Sequence, residues 1–195
     1  MKSNKQINFY MVRHGKTTKA DNDLERVLTT EGENQAGAMS IKLANIEFAA
    51  AYVSPAMRTV QTADIIDRTV NTEKIPELYL LDEKIAVMSK DLGTPVEGNM
   101  TYPPLEAWLA HEHGDHLNNF GINAAKAIQE RINQLSETEL NILIVGHAVL
   151  LNAMALHLAE TEHNKTFILR TPLQEAECLL LSYDETESGL ILPNN

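Results

Sequence analysis

Ile7-Asn8-Phe9-Tyr10-Met11-Val12-Arg13-His14-Gly15-Lys16-Thr17 is the stretch on which the fold of this chain turns. A short apolar run with aromatic and β-branched residues gives way at once to a polar, glycine-containing segment, the pattern of a buried strand that ends in a loop. Working outward, Thr30 and Glu33 have the spacing of a capping box, and Ala36, Met39, Leu43 and Ile46 recur at helical intervals. That spacing predicts a helix from about Glu31 to Ala44 and completes a first β-loop-α unit.

The same alternation continues. Phe48 to Val53 is a second apolar run that stops at Ser54-Pro55, where Ser suits the cap and Pro the first turn of a helix running through Ile66. Lys74 to Glu83, with Pro76 inside it, reads as neither element clearly. From Glu83 to about Asn123 there are breakers (Gly93, Pro95, Gly98, Pro103-Pro104) and no long periodic pattern apart from a short helix around Leu105 to His111, so 84–123 reads as an irregular insertion or lid. Ala124 to Leu135 reads as a helix, Leu140 to Val145 as a strand ending at Gly146-His147, and Ala148 to Ala159 as a largely apolar helix. Glu177 to Tyr183 and Gly189 to Leu192 flank Asp184 to Ser188 as a terminal hairpin. Strands alternating with helices predict a three-layer α/β/α sandwich on a mainly parallel, mixed sheet, with residues 1–195 as one domain.

Composition narrows the partners. The 195 residues include 16 basic and 27 acidic ones, a formal charge of −11, and no Lys/Arg run makes a basic patch, so neither nucleic acid nor an anionic membrane is an expected partner. No apolar stretch near the start is long enough for a signal-peptide core or a membrane span, and the single cysteine, Cys178, sits in an apolar run and has no partner for an internal disulfide; the expected location is the cytoplasm. No heptad or repeat speaks to oligomeric state.

Three of the expected strands end in cationic or imidazole residues: Arg13-His14 after the first, Arg58 in the helix after the second, His147 after the later one. Loops at the carboxyl ends of strands in an open α/β sheet line one crevice, so these four side chains are expected to converge. Two guanidinium forks, two imidazoles and the helix N-terminus at Ala148 make a site for a phosphoryl group. With Ser54 as the N-cap, Arg58 lies about a turn into its helix and leans back over the strand end. Thr17, in the first loop, completes the expected substrate-binding set of Arg13, Arg58, His147, Ala148 and Thr17.

The segments Phe9 to Thr17, Leu28-Thr29-Thr30-Glu31-Gly32 with Gln35-Ala36, Ser54-Pro55-Ala56-Met57-Arg58-Thr59 with Gln61-Thr62-Ala63, and Val145-Gly146-His147 resemble, in order and spacing, the motifs of the histidine phosphatase superfamily, the phosphoglycerate mutase-like fold. The resemblance implies a phosphoric monoester hydrolase in which His14 is the nucleophile and Arg13, Arg58 and His147 bind the phosphoryl oxygens, with no metal or other cofactor. It also implies a carboxylic acid after the second arginine to protonate the leaving group. Glu83 matches best, with Asp82 and Glu97 as alternatives. Lys16 stands where the family commonly has Glu or Gln, and Gly93 to Gly98 matches a family motif only loosely.

The substrate is expected to be a small phosphate ester. A mutase, the competing activity, has to reposition a multiply charged intermediate, yet between Arg68 and Arg131 there is no arginine and only Lys74, Lys84, Lys90 and Lys126, while Met88, Met100, Tyr102, Leu105 and Trp108 offer apolar surface. Phosphatase is therefore favoured over mutase. A non-catalytic binding module is disfavoured, because it needs no cluster of buried cations. His111, Glu112, His113, Asp115 and His116 do not form a metal site by spacing, since His111 and His113 face different ways on a helix and Gly114 interrupts it.

Overall fold

The computed structural model describes residues 6–92, 102–137, 139–182 and 190–192. β1 (Gln6–Arg13), β2 (Ala50–Val53), β3 (Thr72–Lys74), β4 (Glu139–Gly146), β5 (Cys178–Ser182) and β6 (Leu190–Leu192) form one sheet in the order β3-β2-β4-β1-β5-β6. The pairings β3·β2, β2·β4 and β4·β1 are parallel, and those of β5 with β1 and β6 are antiparallel. The sheet is thus mainly parallel and mixed, and its C-terminal pair is the expected hairpin.

β1 carries apolar residues on successive positions because both its faces are covered. Phe9 and Met11 pack with Ile142, Ile144, Leu179 and Leu181 into one core, while Tyr10 and Val12 pack with Leu143, Val145, Cys178 and Leu180 into another. α1 (Thr30–Leu43) and α2 (Met57–Ile66) cover the second face; α5 (Gly114–Ile132), α6 (Ala148–Leu158) and α7 (Glu162–Arg170) cover the first. The three-layer arrangement follows from this two-residue alternation of faces.

Three local expectations change. The cap of α1 is Thr29, whose Oγ accepts the Gly32 N–H at 3.1 Å, one residue before the expected Thr30. α2 begins at Met57, its cap position is Ala56 with no side-chain bond, and Arg58 lies in the first turn; Ser54 is not the cap, because its hydroxyl is used by His147. Among its described residues, 84–123 carries more helix than expected: besides α4 (Leu105–Leu109), the expected short helix, it has α3 (Glu83–Leu92) and the start of a 19-residue α5 that begins ten residues before the expected Ala124. Ile85, Met88, Leu105, Trp108 and Leu117 are buried in the main core, so these helices are held by tertiary burial. Gly121 obscured α5 in the sequence: a Cβ there would lie 2.4 Å from the Ala153 carbonyl oxygen, so its absence lets α5 and α6 touch. Among the described residues, no helix is long and apolar enough to cross a membrane.

The loop after β1 is pressed against the start of α1. A Cβ on Gly32 would fall 2.1 Å from the Lys16 carbonyl oxygen, which itself accepts the Thr29 N–H at 2.9 Å. Gly32→Ala should therefore push α1 away from this loop and destabilise the fold by about 2–4 kcal/mol, more than an exposed helical Gly→Ala change could; urea unfolding of the variant measures it.

Candidate active site

β2, β4 and β1 are adjacent, and their carboxyl ends deliver Ser54, His147 and His14 to one place. The ends are tied together: the His14 N–H donates to the Gly146 carbonyl at 3.1 Å, and the Ser54 N–H to the Val145 carbonyl at 3.0 Å. Around them opens a cavity of about 330 Å³ lined by Arg13, His14, Thr17, Arg58, His147 and Ala148. All six residues are those expected from sequence. Ala148 is the first residue of α6, so the positive end of that helix faces the same space.

His14 is 8% exposed, and its Nδ1 lies 2.8 Å from the Gly15 carbonyl oxygen. A carbonyl only accepts, so Nδ1 carries the proton and Nε2 keeps its lone pair. Burial first, then the charges of His147 and Arg13, hold the His14 pKa well below 6.5. The ring of His147 stands edge-on to it with centroids 5.3 Å apart. His147 has the opposite tautomer: Arg58 Nη2, which can only donate, lies 3.2 Å from Nδ1, so Nε2 bears the proton and donates to Ser54 Oγ at 2.8 Å. Burial and then the Arg58 charge lower its pKa to about 3.

Arg58, 4% exposed, is held along its terminal edge by Asp23. Nη1 donates to the Asp23 carbonyl at 2.5 Å and Nη2 to its carboxylate at 2.7 Å. Asp23 also accepts from Tyr79 at 2.9 Å and from Arg26 at 3.1 Å, while Arg26 further donates to Thr17 Oγ. Burial would raise the Asp23 pKa, but Arg58 outweighs it and the carboxylate stays below its usual range. Arg13 Nη1 donates to the Leu173 carbonyl at 3.0 Å and Nη2 to the Tyr102 hydroxyl at 2.5 Å. Among the described residues neither Arg13 Nε nor Arg58 Nε has a partner, although both are buried. Two guanidinium groups, each with a buried unsatisfied donor, lining one cavity with an unprotonated imidazole make a site for an anion.

The proposed acids do not join this group. Glu83 is exposed in the first turn of α3, whose inward residues are Ile85 and Met88, and it does not line the cavity. Asp82 faces His116, with its carboxylate 2.5 Å from the ring. Glu97 lies outside the described residues. The carboxylates that do line the cavity, Asp23 and Glu175, escaped the sequence reading, as did Arg26, Tyr79 and the role of Ser54. The only sequence trace of the first pair is Asp23 three residues before Arg26 in a polar loop. Glu175 is set by the turn before β5, where Ala176 has φ 53°, its N–H donates to the His14 carbonyl at 3.3 Å, and the Glu177 carbonyl accepts the Arg13 N–H at 3.0 Å. His111, another residue of the histidine-rich turn, lies 3.3 Å from Asp91.

An α/β sandwich that gathers two arginines and two histidines at adjacent strand ends belongs to a class of phosphoryl-handling proteins. The chain belongs to the histidine phosphatase superfamily, branch 1, whose model matches residues 9–195. That membership places it among proteins that hydrolyse or transfer phosphoryl groups. Among solved structures, the fold is similar to phosphoglycerate mutase from Bacillus anthracis (20% identity, 98% of this chain and 92% of that one, TM-score 0.63). It is also similar to phosphoserine phosphatase from Entamoeba histolytica in complex with 3-phosphoglyceric acid (18%, 89% and 89%, TM-score 0.60) and to mycobacterial glucosyl-3-phosphoglycerate phosphatase (13%, 95% and 94%, TM-score 0.63). No curated protein matches the chain.

The depressed histidine pKa values have a consequence for stability. Both rings resist protonation when folded, whereas in the unfolded chain they take up protons near 6.5; their contribution is therefore present above that pH and is lost as pH falls below it. The unfolding free energy should drop by up to about 1.4 kcal/mol per group per pH unit in that range. Denaturant titrations between pH 7 and 5 test this, and His147→Gln should flatten the slope.

Proposed function

We propose that this protein is a phosphomonoesterase that hydrolyses a small phosphate ester through a phosphohistidine at His14, without a metal ion. The observation that carries the reading is that Arg13 and Arg58, each with a buried Nε–H that has no partner among the described residues, line one cavity with His14, whose Nε2 is unprotonated. Asp23 occupies the terminal edge of Arg58 and leaves the Nε edge, next to His147, for phosphoryl oxygens.

In the first step His14 Nε2 attacks phosphorus, the ester P–O bond breaks, and the leaving oxygen takes a proton from solvent. Arg13 and Arg58 stabilise the charge on the non-bridging oxygens, and His147 beside a dianion takes a proton from solvent and shares it with one of them. Water then attacks phosphorus and returns a proton to solvent, the N–P bond breaks, inorganic phosphate departs and His14 is again neutral. The guanidinium groups supply the positive charge that a divalent cation supplies in other phosphoryl-transfer sites, which is why no metal is invoked. Incubation with 32P-labelled substrate should label the wild type in an acid-labile, base-stable form and leave His14→Ala unlabelled, with turnover unaffected by EDTA. Loss of activity with EDTA, or equal labelling of the variant, overturns the reading.

Phosphatase is preferred to mutase because, among the described residues, the arginines lining the cavity are Arg13, Arg58 and Arg26, the last already bonded to Asp23 and Thr17, and no lysine joins them. Exposed Glu83 stands apart from this chemistry, so Glu83→Gln should leave kcat within about twofold in a steady-state assay; a fall of about 10² would restore it as the proton donor.

A further inference from the structure

Beyond the phosphoryl group, the cavity has a wall of Leu80, Ile85, Leu105, Trp108 and Val149. Its charged lining, apart from the histidines, is three guanidinium groups (Arg13, Arg26, Arg58) against two carboxylates (Asp23, Glu175). That excess of one positive charge is already exceeded by a phosphate dianion. Among the described residues no lysine lines the cavity. Lys84 and Lys90 of α3 are exposed and do not line the cavity, and Lys16 pairs with Glu31 at 2.6 Å. A carboxylate or second phosphate on the leaving group would therefore enter a space whose described lining has no further cation to meet it, at a site of low dielectric where such a charge is costly.

We infer that the site selects phosphate monoesters whose leaving group is apolar and carries no second acidic group, with Glu175 as the residue that enforces the charge limit. The inference rests on the phosphatase reading above. Glu175 suits this role because the turn at Ala176, bonded to the His14 carbonyl, holds its backbone beside the phosphoryl-binding end. Discrimination against acidic esters is then a property of the cavity's charge as well as of its shape.

Four esters separate charge from size and polarity: phenyl phosphate, 4-carbamoylphenyl phosphate, 4-carboxyphenyl phosphate and glycerol 1-phosphate. The first two should share similar kcat/KM, the carboxylate should fall about tenfold below its neutral isostere, and glycerol 1-phosphate should show the highest KM. Glu175→Gln should shrink the carboxylate penalty about fivefold or more. Leu81→Lys, a change at a 51% exposed cavity-lining position where folding is not at stake, should shrink it as well. Equal rates for the carbamoyl and carboxy esters in the wild type, or a penalty that neither variant alters, overturns the inference while hydrolysis itself leaves the phosphatase reading standing. Failure of all four esters together with no labelling of His14 overturns both.

Discussion

Buried guanidinium groups must be hydrogen-bonded or they cost several kcal/mol, and in this protein the bonds stop short by design of position rather than by lack of donors. Asp23 grips the terminal edge of Arg58 through both its carboxylate and its backbone carbonyl, and the Leu173 carbonyl and Tyr102 hydroxyl take the terminal nitrogens of Arg13. Among the described residues the Nε–H of each has no acceptor. Nearly everything else at the site follows from keeping those two donors fixed and dry.

The histidines fit that constraint by staying neutral. A protonated ring beside two buried arginines would add a third like charge, so burial and the arginines together depress both pKa values. Their tautomers are set by groups that have only one hydrogen-bonding role: the Gly15 carbonyl, which accepts, and the Arg58 guanidinium, which donates. Neutrality leaves His14 nucleophilic and leaves His147 able to respond to an incoming dianion.

The fold's share is to make four distant residues adjacent. β4 lies between β1 and β2, so residues 13–14, 54 and 146–147 end side by side, and backbone bonds across those ends hold the register. The close approach of Gly32 to the Lys16 carbonyl then fixes the loop that carries His14 and Thr17.

From the amino-acid order alone came the alternation of elements, the mixed sheet with its terminal hairpin and the convergence of Arg13, His14, Arg58 and His147, because apolar runs and strand-end motifs are local signals. The acids were not legible in the same way. Glu83 sits close in sequence to Leu81 and Ile85, which line the cavity, yet helical geometry turns it to solvent, while Asp23 and Glu175 come from a polar loop and a turn with no periodicity to mark them. Helix α3 and the first ten residues of α5 were hidden too, since their pattern is weak and their stability comes from burial against the core. Which side chains meet across long sequence separations depends on strand order and packing, and only the tertiary structure supplies those.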